Sequence, residues 1–194
     1  MTTRRGKPTV GVMGSAQETL AEADRAHLMM VAESLGRAVV DQDCLLISGE
    51  SSGLPDLVAQ AVRRHGGLTV GISPAHSFEE HQSRYGLPQQ GSDIVIYTGF
   101  GYKGRNVVNI RSSDIVVIFQ GSMGTLNEFT IAYDEGKIIG VLEGTGGVAD
   151  QLRGLVQALG KKTQATLFFE RDATELLRMC LAELGRRRRG STPP

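Results

Sequence analysis

Tryptophan is absent from this chain, aromatic residues make up only 5%, and there are just two cysteines among 194 residues. Cys44 and Cys180 each sit inside an apolar stretch and resemble neither a disulfide framework nor a metal-ligand pair, so they read as buried structural thiols. No apolar run approaches the length of a membrane span, and the polar segment 1–7 lacks the apolar core of a secretion signal. A cytoplasmic protein with no membrane partner is therefore expected. Surplus charge is missing too. Lys+Arg and Asp+Glu both total 21, a formal net charge of zero, which leaves no global field to steer the chain onto nucleic acid. Nucleic acid is accordingly not an expected partner. The local exception is the four arginines 186–189, followed by Gly-Ser-Thr-Pro-Pro. A terminal basic run can grip phosphates, but it reads first as a frayed tail over 186–194 behind a single domain, 1–185.

What the chain has in excess is glycine, at 25 residues. Glycine permits tight turns and close approach of backbone to ligand, so placement matters more than number. Short apolar runs at 9–13, 44–48, 68–72, 94–97, 114–119, 138–142 and 166–169 read as strands. Most are nearly continuous in apolar residues, as strands are when helices cover both faces of a parallel sheet. Between them lie helical stripes: Leu28, Val31, Leu35 and Ala38; Leu54, Leu57, Val58, Ala61 and Val62; Leu152, Leu155, Val156 and Leu159. The alternation predicts an α/β fold, Rossmann-like, with a doubly wound, mostly parallel sheet of about seven strands and helices on both faces. One segment, 73–92, breaks the rhythm and reads as a long functional or mobile loop. His76 and His81 within it miss the spacing of a helical metal pair and are expected to be exposed to solvent first, or else to face substrate.

In such a sheet, ligands bind at the carboxyl ends of the strands. Four strands are followed by turns of small residues. These begin at Gly14 and Ser15, at Gly49 through Gly53, at Thr98 and Gly99, and at Gly121-Ser122-Met123-Gly124-Thr125. Glycines let several backbone N–H groups converge, and a following helix N-terminus adds its positive end, so a phosphate is the natural guest. No Gly-Lys-Ser/Thr follows the glycines of these turns, and no Gly-x-Gly-x-x-Gly follows the first strand, which argues against a Walker loop and a redox dinucleotide. Neither a cofactor nor a metal is expected. Arg105 and Glu128 lie beside these turns, and Glu128, one turn beyond Gly124, is expected to stay ionised near the helix start. Glu50 would bring a second carboxylate near the phosphate.

These residues resemble the LONELY GUY (LOG) family of phosphoribohydrolases, formerly misnamed lysine decarboxylases. Its signature Pro-Gly-Gly-x-Gly-Thr-x-x-Glu is matched from Gln120 at Gly121, Gly124, Thr125 and Glu128, with Arg105 where the family carries a functional arginine. Arg105-Asn106-x-x-Asn109 is similar to a sub-branch that includes molybdenum-cofactor carrier proteins. Gln120, Ser122 and Asn127 depart from the pattern. The resemblance implies catalytic roles for Glu128 and Arg105. It implies phosphate or nucleotide binding by Gly14, Ser15, Gly49, Gly53, Gly121, Ser122, Met123, Gly124 and Thr125, with secondary contributions from Asn106, Asn109, Thr98 and Gly99. The implied reaction is hydrolysis of the N-glycosidic bond of a nucleoside 5′-monophosphate to free base and ribose 5-phosphate. The alternative is a carrier that binds molybdenum cofactor or a nucleotide without turnover. The implied partners are a phosphorylated small molecule and further copies of the chain, as a homodimer or higher homo-oligomer. Phe129, Ile131, Ala132 and Tyr133 make the helix after the Gly-Thr turn apolar on more than one face, consistent either with such an interface or with packing inside one chain.

Overall fold

The computed structural model describes residues 6–16, 22–87 and 91–190. All of the predicted strands form, each within one residue of its expected bounds: β1 (Thr9–Gly14), β2 (Leu45–Ser48), β3 (Thr69–Ser73), β4 (Ile94–Tyr97), β5 (Ile115–Phe119), β6 (Ile138–Leu142) and β7 (Thr166–Glu170). They make one sheet in the order β4-β3-β2-β1-β5-β6-β7, with every neighbouring pair parallel. The helices are α1 (Glu22–Asp41), α2 (Leu54–Arg64), α3 (Phe78–Ser83), α4 (Gly101–Ser112), α5 (Met123–Asp134), α6 (Leu152–Leu159) and α7 (Ala173–Gly190).

β5 explains why the strands read as unbroken apolar runs. All five of its residues are buried. Ile115, Val117 and Phe119 join one core with α1, α2 and α7, while Val116 and Ile118 join a second with Ile110, Phe129, Ala132 and Leu152 on the opposite face. Period-two alternation is present, but both faces are dry, so it leaves no polar mark. Strand order reverses between β1 and β5, so their connections leave in opposite directions and open a crevice at the carboxyl ends.

Three expectations are corrected. First, the arginines 186–189 do not begin a frayed tail, because α7 continues to Gly190; residues 191–194 lie outside the described residues. Glu183, buried, accepts from Arg186 Nε at 2.7 Å and Arg187 Nε at 2.8 Å, one helical turn away. Arg187 also donates to the carbonyls of Gly136 and Gln164 and to Thr166 Oγ1, and Arg188 donates to Asp114. The run fastens the helix to the amino-terminal edge of the sheet, with cations at the helix end that favours them. Arg187→Ala should cost about 1 kcal/mol in urea unfolding, since Glu183 keeps Arg186 but loses one of its two arginines, and two carbonyls lose this donor,; a change under about 0.5 kcal/mol would mark the network as ornamental.

Second, segment 73–92 contains α3, whose N-cap Ser77 accepts from Glu80 N through its side chain. Third, His81 is buried at 2% exposure, with Nδ1 2.9 Å from Ser73 Oγ. Contacts of the His81 ring with Ser73 and with Tyr97 help dock this short helix, and no apolar stripe announces it. His76 is exposed and pairs with Glu80. Among the other stripes, that of α6 holds only in part, because Leu152 is fully buried while Leu159 is 71% exposed.

Candidate functional site

The crevice is shaped by two turns that leave the switch-point strands. Gln120 (φ 56°) and Gly121 (φ 90°) both take left-handed backbone, which swings the chain sharply out of β5. A Cβ on Gly121 would lie 2.4 Å from Thr125 Oγ1, so the turn closes only without a side chain there. Val148 N and Ala149 N donate to the carbonyls of Gly121 and Gln120 and brace the turn from behind. α5 then starts with Ser122 as N-cap, and that side chain makes no capping bond. The first-turn N–H groups thus lack a side-chain partner at the positive end of a helix. Gly14 ends β1 on the other side, where a Cβ would come 2.7 Å from the Phe119 carbonyl.

α4 supplies the charged floor. Helical spacing places Arg105, Asn106 and Asn109 on its buried side,. Arg105 Nη1 lies 3.6 Å from Glu128 Oε1, and both side chains are 8% exposed. The guanidinium is pressed against Gly49, where a Cβ would sit 1.9 Å from Nη1. Arg105 Nε and Asn109 Oδ1 are buried without a hydrogen-bond partner; Asn109 Nδ2 donates to Met13 Sδ at 3.3 Å. With its amide oriented by its surroundings, Asn106 Nδ2 donates to Glu128 Oε1 at 3.2 Å and to the Tyr102 carbonyl at 2.9 Å,.

Burial dominates the electrostatics. It pushes Glu128 up to about 7, against the pull of Arg105 and then Lys103. Burial also lowers Arg105, with Glu128 opposing. The expectation of a plainly ionised Glu128 is therefore corrected: the residue lies in the second turn of α5, too deep for the helix end to offset desolvation. The sign for stability follows. A carboxyl raised from 4.5 to about 7 on folding contributes stability that is complete below its unfolded value and is lost as pH rises through the folded one. Wild type should thus lose about 3 kcal/mol relative to Glu128→Gln between pH 4.5 and pH 8, read by urea unfolding at each pH. A pH-independent difference would contradict the burial.

A cavity of about 890 Å³ opens above this pair. Of the expected binding residues, Gly14, Gly49, Arg105, Asn106, Ser122, Gly124, Thr125 and Glu128 line it. The others do not. Gly53 (φ 89°) packs against the Ser15 and Ala16 backbone, and the Ser15 carbonyl accepts from Leu54 N, so both join the β1 and β2 turns. Gly121 shapes its turn from behind, and Met123 faces outward, 75% exposed. Asn109 lies below the floor, while Thr98 and Gly99 close the end of β4 through the carbonyls of Ser73 and Ala75. Glu50 is corrected as well. Its carboxylate turns away from the cavity, over Gly71 and Gly91, and accepts from Ser92 Oγ at 2.6 Å.

Sequence reasoning missed one wall. Tyr85, Gly86 and Leu87, which follow α3, face Tyr102 and Lys103 of α4 across the cavity rim. Tyr102 lies three residues before Arg105 on one helix face, a spacing that could have flagged it; nothing local marks Tyr85. Among the described residues no cluster of three or more His, Cys, Asp or Glu could hold a metal, and no helix is long and apolar enough to cross a membrane.

Comparison with known proteins places this chain among relatives. The family model described as the SLOG cluster4 family matches residues 7–177. An uncharacterized protein of Archaeoglobus fulgidus is 30% identical over 134 residues, 69% of this chain and 79% of that protein. The X-ray structure of TM1055 superposes with a TM-score of 0.78 at 26% identity, covering 90% of this chain and 99% of the other. The molybdenum cofactor binding protein of the phototrophic bacterium Rippkaea orientalis gives a TM-score of 0.70 at 26% identity, covering 93% and 99%.

Proposed function

This chain belongs to the SLOG cluster4 family, and on that premise we propose that it binds a nucleoside 5′-monophosphate and hydrolyses its N-glycosidic bond. The observation that carries the reading is the buried Arg105–Glu128 pair under an open cavity, with Arg105 Nε left without a partner. Two buried charges are costly to maintain for stability alone, and an arginine that lines a cavity with one of its donors unsatisfied is suited to an anion,. The first-turn amides of α5, with Ser122 and Thr125, supply the complementary cradle for the 5′-phosphate.

In the reaction the C1′–N bond breaks with its electron pair passing to the base nitrogen, and a water oxygen bonds to C1′. The ring gains oxocarbenium character on the way, which the Glu128 carboxylate stabilises while it accepts the proton of the attacking water. That proton ends on the departing base. A group poised at about 7 can both take and return a proton near neutral pH. The test is incubation with AMP, GMP, CMP and UMP and chromatography for free base. Base release that Glu128→Gln slows by about a hundredfold or more supports the reading, whereas none above that variant sinks it.

A second reading is favoured by the likeness to a molybdenum cofactor binding protein. The same cradle would then hold a phosphorylated ligand without turnover, seen as saturable binding with no base released.

A further inference from the structure

Tyr85 and Tyr102 lie on separate elements, yet their rings meet edge to face with centroids 5.3 Å apart at 88°. Both line the cavity that Arg105, Glu128 and the α5 turn also line. The Tyr102 ring lies 5.8 Å from the Arg105 guanidinium carbon, and Arg84 covers Tyr85 at 5.4 Å. A cation thus lies near each ring,. Tyr102 is nonetheless 46% exposed, so aromatic surface faces the opening. Leu87 adds apolar area on the same side. One end of the cavity is thus polar and anion-seeking, while the other is aromatic.

We propose that Tyr85 and Tyr102 form a subsite for the planar heteroaromatic ring of the phosphorylated ligand, and so set its preference for ligands that carry such a ring. A nucleobase and a pterin share this chemistry, because either presents a flat π-face that stacks on tyrosine without base-specific hydrogen bonds. The inference rests on the phosphate cradle proposed above. A larger fused ring covers more of the wall than a single ring, so purines are preferred over pyrimidines.

The test uses calorimetric titration of the full chain with three probes: ribose 5-phosphate, formycin 5′-monophosphate and formycin. Formycin 5′-monophosphate is an AMP analogue joined to ribose through a C–C bond that a glycosidase does not break. It should bind wild type on the order of tenfold to a hundredfold tighter than ribose 5-phosphate does. Tyr85→Leu/Tyr102→Leu should erase that advantage and leave ribose 5-phosphate affinity unchanged, and Tyr102→Phe should keep it. Equal binding of the two phosphates by wild type, or an advantage that survives the double leucine variant, overturns the subsite. If ribose 5-phosphate fails to bind while formycin binds and loses its affinity in the leucine variant, the cradle fails and the aromatic subsite stands. Binding of no probe overturns both.

Discussion

Glu128→Gln is expected to slow base release by about a hundredfold or more, while ribose 5-phosphate affinity changes by no more than about threefold. Glutamine keeps the shape and fills the same space, so the loss reports charge. The split between rate and binding is what separates a catalytic carboxylate from one that only holds Arg105 in place. Arg105 Nη1 is 3.6 Å from Glu128 Oε1, and removal of the carboxylate frees the guanidinium for the ligand phosphate, which offsets part of the lost ion pair. Wild-type activity should also rise with pH through about 7, as Glu128 ionises, and this limb should vanish in the residual activity of the variant. Equal losses in rate and in ribose 5-phosphate binding would assign Glu128 a structural role.

The sheet was legible because each buried strand needs apolar residues on both faces, and such runs stand out between amphipathic helices. The turns were legible because glycine is required where the backbone is left-handed, as at Gly121, or closely approached, as at Gly14. What escaped depends on contacts between distant residues. The docking of α3 involves a buried histidine that reaches Ser73 and Tyr97, and Tyr85 meets Tyr102 only once β4 and α4 are in place. The orientation of Glu50 follows from its left-handed backbone (φ 46°) and from space left by Gly71 and Gly91. The helical arginines did carry a local signal. Glu183 precedes Arg186 and Arg187 by three and four residues, which is the pairing distance on a helix.

Gly49→Ala should uncouple the pair without replacing either member. The backbone at this position is not left-handed, so alanine brings no conformational penalty there, only a Cβ 1.9 Å from Arg105 Nη1. The guanidinium must swing aside, which a long side chain does at little steric cost. The consequence is electrostatic. Arg105 moves away from Glu128, the carboxyl loses the neighbour that most opposes its desolvation, and its protonation shifts further upward. The activity limb near 7 should therefore move to higher pH, and phosphate affinity should fall about tenfold to a hundredfold, the range for a lost charge-assisted hydrogen bond. In Arg105→Ala the methyl meets no guanidinium, so adding Gly49→Ala there should change little. Full additivity in that double-mutant cycle would show that the two residues act independently, and that the glycine after β2 serves the turn rather than the arginine beneath it.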